Sequence, residues 1–351
     1  MTMERPAPEA LSNPRSDRVR AVARLSGRSA RQRAGRFLVE GPQGVREAVA
    51  EHALGRGPGA LRELYATPEA AERHPEILEA AAAAGVWPRP VTDEVLAAML
   101  AGAGTTTPQG LLAVCDLVTV SLDSVIERAP RLVAVLSQVR DPGNAGTVIR
   151  AADAAGADAV VLTDASVDVH NPKCVRSTAG SLFHLPIVAG VPLAEVVDRL
   201  RSAGLQVLAA DGAGSFDLDA LADEAEDRAV GAGLPSSVGS VPSAQATQTP
   251  QPSEPIGLAA PLPVALPRVW LERAVTWVFG NEAWGLPEED RELADAVVRV
   301  PVHGRAESLN LGTAATVCLY ATARAQRRGE RRGVQAQNRA TGRFTEAESA
   351  R

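Results

Sequence analysis

The sequence predicts a two-domain α/β protein: a small N-terminal α/β unit, then a larger domain with a mostly parallel sheet flanked by helices. Three observations carry this reading. The chain has 351 residues, comfortable for two domains of roughly 100–200 residues each. Short Val-, Leu- and Ala-rich runs alternate with helical patterns in two blocks, 35–114 and 131–327, and strands alternating with helices specify a largely parallel sheet. The alternation is interrupted once, at 231–267, where eight prolines, one charged residue and no aromatic stand among Ser, Gln and Thr. Such a stretch buries too little apolar surface to offset its ordering entropy, so a disordered insert is expected.

In chain order, residues 1–34 read as a basic, disordered arm, since eight arginines and one acid fall between positions 13 and 36. A solvated terminus and an arm that follows RNA phosphates are both open readings of it. The first block predicts a strand at 37–39, a helix at 41–53 and a strand at 61–66. An Ala-rich helix at 75–84 ended by Gly85, a short helix at 92–100 and a strand at 111–114 complete it. Residues 115–130 are the expected linker. The second block predicts strands at 132–136, 159–162 and 206–210, with helices at 145–155, 175–181 and 193–203, the last ended by Gly204. After the insert come strands at 276–279 and 296–300 and a long helix at 309–327. Residues 328–351 read as a basic tail; seven arginines lie between 324 and 343.

Composition narrows the function classes. Aromatics are only 3% of a chain that is 45% hydrophobic, so the core must be built from Ala, Val and Leu. The net charge of -6 does not announce a nucleic-acid partner, although the two basic ends on an acidic body suit a polyanion. One of 36 basic residues is a lysine, Lys173. Cys115, Cys174 and Cys318 are far apart, with no CxxC and no His at ligand spacing, so neither a zinc site nor a disulfide framework is expected. No apolar run approaches the ~18 residues of a membrane span and no signal-peptide pattern opens the chain. A cytoplasmic protein without metal or membrane partner is expected. GxGxxG, P-loop, HExxH and GxSxG patterns are absent, which removes the usual support for dinucleotide, NTPase, metalloprotease and hydrolase chemistry.

Three segments follow predicted strands, where open α/β sheets bind ligands. The first is Ser137-Gln138-Val139-Arg140-Asp141-Pro142-Gly143-Asn144, with Asn144 as a helix N-cap and Arg150 on that helix, where it can pair with Asp153 or Asp158. The second is Gly280-Asn281-Glu282-Ala283-Trp284-Gly285-Leu286-Pro287, a sharp turn holding a carboxylate beside exposed backbone N–H groups. The third runs from Val300 to Asn310, with Ser308 or Asn310 available as a cap.

Asn144-x5-Arg150, Gly280-Asn281-Glu282-x2-Gly285-Leu286 and Ser308-Leu309-Asn310, in this order and context, resemble the SpoU (TrmH-like) branch of the SPOUT RNA methyltransferases over about residues 132–327. The segment Arg36-Phe37-Leu38-Val39-Glu40-Gly41 resembles the L30e-like substrate-binding domain that often precedes this catalytic domain. Leu311-Gly312 departs from the commoner valine followed by a small residue, and the 231–267 insert departs from the compact family pattern.

The resemblance implies transfer of a methyl group from S-adenosyl-L-methionine to a ribose 2′-hydroxyl of RNA, a trefoil knot late in the catalytic domain, and a homodimer. It implies catalytic roles for Arg150, Asn144, Glu282, Ser308 and Asn310, and cofactor contacts at Gly280, Val300 and Leu309. Arg150 would activate the hydroxyl, either as an assisted base or by holding phosphate and stabilising developing alkoxide; both remain open. Ribosomal RNA is favoured over tRNA because the minimal tRNA enzymes of the group often lack the extra domain. The alternatives are a tRNA 2′-O-methyltransferase and a non-catalytic RNA-binding protein retaining the fold. For the dimer, Leu311, Ala315, Cys318 and Leu319 recur at helical spacing and offer a contact stripe, with intramolecular packing as the other use of the same face.

Overall fold

A computed structural model describes residues 10–55, 59–231 and 268–340. Apart from Gly231, the insert expected at 231–267 lies outside the described residues, as do 1–9 of the arm and 341–351 of the tail. No helix among the described residues is long and apolar enough to cross a membrane.

The N-terminal sheet contains β1 (Arg36–Glu40), β2 (Leu61–Ala66), β3 (Arg89–Pro90) and β4 (Leu111–Asp116), in the order β1-β4-β2-β3. Strand β4 runs antiparallel to β1 and β2, and β2 parallel to β3. Side chains alternate between two buried faces. Phe37, Val39, Leu111 and Ala113 meet Val45, Ala48 and Ile77 of the Pro42–Leu54 and Pro75–Ala83 helices. Leu38, Leu112 and Val114 instead meet Val95, Leu96 and Met99.

The same second face also takes Val19, Val22 and Leu25, which corrects the expectation of a disordered arm at 1–34 for its described part, residues 10–34. Helices Asp17–Ala23 and Arg28–Ala34 are formed. The three apolar residues stand three apart, which places them on one helical side, a stripe masked in the sequence by the arginines around it. Ser16 caps the first helix. Arg31 is buried and gives its guanidinium to Asp168 at 2.5 Å and to the carbonyls of Leu25 and Ser26 at 3.0 and 2.6 Å. The arm is thereby tied to the second domain.

The larger sheet holds β5 (Leu132–Leu136), β6 (Ala159–Thr163), β7 (Ile187–Val191), β8 (Gln206–Ala210), β9 (Phe216–Asp217), β10 (Val275–Phe279) and β11 (Ala296–Arg299). All pairings are parallel, in the order β7-β6-β5-β10-β8-β11-β9. Strand β10, sixth of the seven in sequence, thus enters between β5 and β8. One face packs Ala134, Leu136, Trp277 and Phe279 against the Pro142–Ala155 and Leu311–Ala340 helices. The other packs Val133, Val135, Val161 and Val207 against the Leu193–Ser202 helix. Burial on both faces is why these strands read as continuous apolar runs.

Several expected boundaries move. The linker 115–130 contains a helix, Leu122–Ile126, capped by Ser121 and anchored in the core by Leu122 and Val125. The last helix continues beyond 327 to Ala340, into the expected tail. The helix expected at 175–181 is Pro172–Ser177, started by Asn171 as cap with Pro172 in its first turn, and a 3₁₀ turn follows at Ser181–Phe183. Leu311, Ala315, Cys318 and Leu319 are buried within this chain's own core, so that stripe serves intramolecular packing. All three cysteines are buried and unpaired; burial pushes the Cys174 thiol up to about 12.

Candidate functional site

The site grows from loops at the carboxyl ends of β5, β8, β10 and β11. After β5, Asp141 caps the Pro142–Ala155 helix by accepting the Asn144 backbone N–H at 2.9 Å. The Lys173 ammonium, 2.9 Å away, and that N–H hold the Asp141 carboxyl below the usual range. The cap is therefore Asp141 and not Asn144 as expected. With Asn144 one turn into the helix, its side chain is released for another task. Its Nδ2 donates to Glu282 Oε1 at 2.6 Å, and its Oδ1 accepts from Asn310 Nδ2 at 3.2 Å. Asn310 in turn caps the last helix, its Oδ1 accepting the Gly312 N–H at 2.9 Å. A side chain at Gly312 would meet Thr147 Cγ2 at 2.6 Å, so the glycine lets the last helix close onto the Pro142–Ala155 helix and brings Asn310 within reach of Asn144.

Glu282 is presented by a tight turn after β10. Asn281 and Gly285 pair across the turn, with backbone hydrogen bonds of 3.0 and 2.8 Å. The buried Asn281 side chain donates to the Gln138 carbonyl at 3.0 Å and accepts from the Ala283 N–H at 2.9 Å. Gln138 takes a left-handed backbone at φ 55°, uncommon away from glycine. At Gly280 a Cβ would meet the Gly285 carbonyl oxygen at 2.4 Å and the Leu286 nitrogen at 2.7 Å, so only glycine lets this turn fold back onto the strand end.

Behind the turn lies a cleft of about 400 Å³, lined by Phe279, Gly280, Asp211, Val300, Leu309 and Trp284 among others. The structure brings the sequence-predicted residues to this place unequally. Gly280, Val300, Leu309, Glu282 and Ser308 line the cleft. Asn144 and Asn310 are joined to it through Glu282. Arg150 does not line it; it stands on the helix about one and two-thirds turns beyond Asn144, exposed, without an ion pair among the described residues. Neither suggested partner takes it: Asp153 accepts from His184 at 2.8 Å, and Asp158 accepts the Arg131 and Leu132 N–H groups at 2.7 and 2.9 Å.

Asp211, Arg291 and Trp284 line the cleft without having been singled out in the sequence. Asp211 accepts the Leu286 N–H at 3.3 Å and the Ala213 N–H at 2.9 Å, with Arg291 at 3.6 Å. Its sequence signal was available: Asp-Gly directly after a predicted strand, at a ligand-binding strand end.

Fold and site together define an α/β protein that takes a small ligand at the carboxyl ends of a parallel sheet, with an Asn–Glu–Asn cluster beside it. Residues 131–231 and 243–320 match the SpoU rRNA Methylase family, and residues 16–113 match the MRM3-like substrate binding domain. The chain belongs to the SpoU rRNA methylase family. It is 30% identical over 310 residues to the 23S rRNA (guanosine(2553)-2′-O)-methyltransferase RlmP of Bacillus subtilis, covering 88% of this chain and 97% of that one. It is 28% identical over 226 residues to a 23S rRNA (uridine(2479)-2′-O)-methyltransferase of Streptomyces viridochromogenes, covering 64% and 63% of the two chains. Among solved structures, the SpoU methyltransferase AviRb from Streptomyces viridochromogenes in complex with AdoMet superposes with a TM-score of 0.63 at 27% identity, over 88% of this chain and 98% of that one. The AdoMet-bound rRNA methyltransferase from Sinorhizobium meliloti shares the fold, with a TM-score of 0.64 at 23% identity over 90% and 97%.

The cleft fits S-adenosylmethionine. Its volume is within the ~300–1,000 Å³ of small-molecule sites. Apolar walls at Phe279, Val300 and Leu309 suit an adenine ring, and the carboxylates of Asp211, Glu282 and Glu307 suit a ligand with sulfonium and ammonium charges. Close main-chain approach at Gly280 leaves backbone groups to meet the ligand's polar edge.

Proposed function

We infer that the protein is an S-adenosylmethionine-dependent RNA 2′-O-ribose methyltransferase acting on ribosomal RNA, and that its site is the cleft behind the Gly280–Gly285 turn. The observation that carries this reading is the Asn144–Glu282–Asn310 cluster, which joins the first turn of one helix to two separate loops at the mouth of a cofactor-sized cleft. Ribosomal RNA is favoured over tRNA by the substrate-binding domain matched at 16–113 and by the 23S rRNA named for the full-length relative.

The bound cofactor supplies an electrophilic methyl group; the protein must align a poorly nucleophilic ribose hydroxyl and help remove its proton. Gly280, Val300 and Leu309 hold the cofactor through main chain and apolar surface. Glu282, oriented by Asn144, and Asn310, held by Asn144 and by its cap, give the ribose hydrogen-bond partners of fixed direction, and Ser308 on the facing loop offers a further hydroxyl. Arg150, a cation without a carboxylate partner among the described residues, is free to take an RNA phosphate and to stabilise charge developing on the hydroxyl oxygen. The trefoil knot and a cytoplasmic location are part of the same reading; insertion of β10 between β5 and β8 supports the knotted course.

The same reading includes a homodimer. With the Leu311–Leu319 stripe turned inward, the surface left for a partner is the outer side of the last helix, where Val317 and Tyr320 are 38% and 48% exposed. Static light scattering should give twice the chain mass, and an active monomer would overturn this part. Catalysis is tested by methyl transfer from labelled S-adenosylmethionine to ribosomal RNA from a strain lacking the gene. Arg150→Ala should abolish transfer while cofactor affinity stays within about twofold, because Arg150 is outside the cleft lining. Near wild-type turnover of that variant would remove Arg150 from the mechanism.

A further inference from the structure

Eleven aromatic residues serve the whole chain, four of them tryptophan, and their placement is uneven. Trp277 is fully buried and donates to Thr322 Oγ1 at 2.8 Å. Trp270 carries the guanidinium groups of Arg228 and Arg273 over its ring, 4.4 and 4.6 Å from the centroid. Trp284 is 51% exposed and lines the cleft. A large ring left half in water at the mouth of a site, in a protein so poor in aromatics, contributes little to the core.

Its turn is pinned by hydrogen bonds, and one cation, unpaired among the described residues, stands against the ring. Trp284 stands two residues after Glu282, in the turn pinned by the Asn281–Gly285 backbone pair and by the Asn281 side chain. The Arg140 guanidinium lies over the ring, 5.3 Å from its centroid, within cation–π range. Arg140 is exposed and has no carboxylate partner among the described residues. A ring fixed on one side by a cation, beside a loop that carries the ribose-facing carboxylate, is arranged for a flat partner with a phosphate attached. Single-stranded RNA offers that combination: its unstacked bases are recognised by stacking on aromatic side chains and Arg planes.

We propose that Trp284 is the stacking platform for a nucleobase of the RNA substrate, with Arg140 holding the ring and taking the adjoining phosphate. The proposal rests on the RNA-methyltransferase reading above. Trp284 thereby acts as a positioning residue, setting where the ribose lies relative to Glu282 and Asn310. The cofactor's adenine is the other flat group available in the cleft, and the experiment separates the two.

The full-length protein and its Trp284→Ala, Trp284→Phe and Trp87→Phe variants are titrated with ribosomal RNA from a strain lacking the gene. Trp87, exposed but outside the cleft lining, is the control for fluorescence. RNA should quench the wild type and Trp87→Phe, and the quench should be lost in Trp284→Phe. Trp284→Ala should raise the KM for RNA about tenfold, within the range that base–aromatic stacking supports, with S-adenosylmethionine affinity within about twofold. Trp284→Phe should restore most of that KM, since a phenyl ring also stacks. An unchanged RNA KM in Trp284→Ala, or a full quench in Trp284→Phe, would overturn the proposal. So would weakened cofactor binding with RNA KM unmoved, which would assign the ring to adenine. A wild-type chain that binds RNA with Trp284 quenching yet transfers no methyl group would defeat the methyltransferase reading and leave the platform standing.

Discussion

Replacing Gly280 by alanine tests whether the turn after β10 is what shapes the cleft proposed for the cofactor. The added Cβ would lie 2.4 Å from the Gly285 carbonyl oxygen, 2.5 Å from its carbon and 2.7 Å from the Leu286 nitrogen, all backbone atoms, whereas ordinary contact starts at 3.4 Å. The turn must therefore retreat by about 1 Å (3.4 − 2.4 Å). A movement of that size takes the Asn281–Gly285 hydrogen bonds, now 3.0 and 2.8 Å, out of bonding range. Two such bonds are worth about 1 kcal/mol each, and overpacking adds roughly 1–3 kcal/mol. Relaxation of the turn recovers part of this, so the expected cost is about 2–4 kcal/mol, a lowering of Tm by roughly 5–10 °C. Because the same backbone walls the cleft, calorimetric titration with S-adenosylmethionine should show affinity reduced by at least about tenfold, or roughly 1.4 kcal/mol. Gly212→Ala is the matched control for stability: Gly212 also lines the cleft, but a Cβ there meets no protein atom within 4 Å, and its variant should melt as the wild type does. If Gly280→Ala kept wild-type affinity and Tm while the crowding is as described, the steric reasoning for this site would be wrong.

Two further outcomes follow from charges that join the domains. Asp168→Ala removes the partner of a guanidinium that is buried against Leu25 and Ser26; leaving that charge uncompensated should cost about 3–5 kcal/mol, read by chemical denaturation, and protease sensitivity should rise first at residues 17–34. Burial pushes the Asp168 carboxyl up, but hydrogen bonds from His170 and Arg31 outweigh it and leave it well below the carboxylate range. Its contribution is therefore present above about pH 4 and lost as pH falls further, so the wild-type advantage over Asp168→Ala should shrink in acid. His184 links Glu47 of the first domain, at 3.3 Å, to Asp153 of the second, at 2.8 Å. Burial lowers its pKa, but those two carboxylates more than compensate and raise it. A raised pKa stabilises below the unfolded value of about 6.5 and ceases to as pH rises through the folded one. The Tm difference between wild type and His184→Ala should accordingly be larger at pH 5.5 than at pH 8.5; equal differences would show that the bridge carries no proton-linked stability.

The parallel sheet was legible because its strands are buried on both faces and read as short unbroken apolar runs, as at Leu132–Leu136 and Val275–Phe279. Glu282 was legible as a carboxylate inside a turn that does not require it, whereas Gly280 and Asn310 had a turn and a cap as their local reasons and stood out only through the resemblance of the three motifs taken together. The helices at Asp17–Ala23 and Arg28–Ala34 were not. Their apolar stripe of Val19, Val22 and Leu25 is thin, and its stability comes from Leu38, Leu112 and Leu96, residues distant in sequence. Arg31 looked like one more solvated charge until Asp168, 137 positions away, turned out to bury it.

Local chemistry by itself determined where strands, turns and caps could form, and which loops carried residues without a purely structural reason to be polar. Tertiary structure decided which of those residues meet. Asn144 had the side chain of a helix cap, but Asp141, three residues earlier, satisfies that backbone donor, and only the approach of two other loops gives Asn144 its partners Glu282 and Asn310. Asp211 and Trp284 become part of a site because β8 and β10 are neighbours in the sheet. Strand order is set by non-local pairing of backbones that all offer the same hydrogen-bonding groups, so no window of sequence contains it.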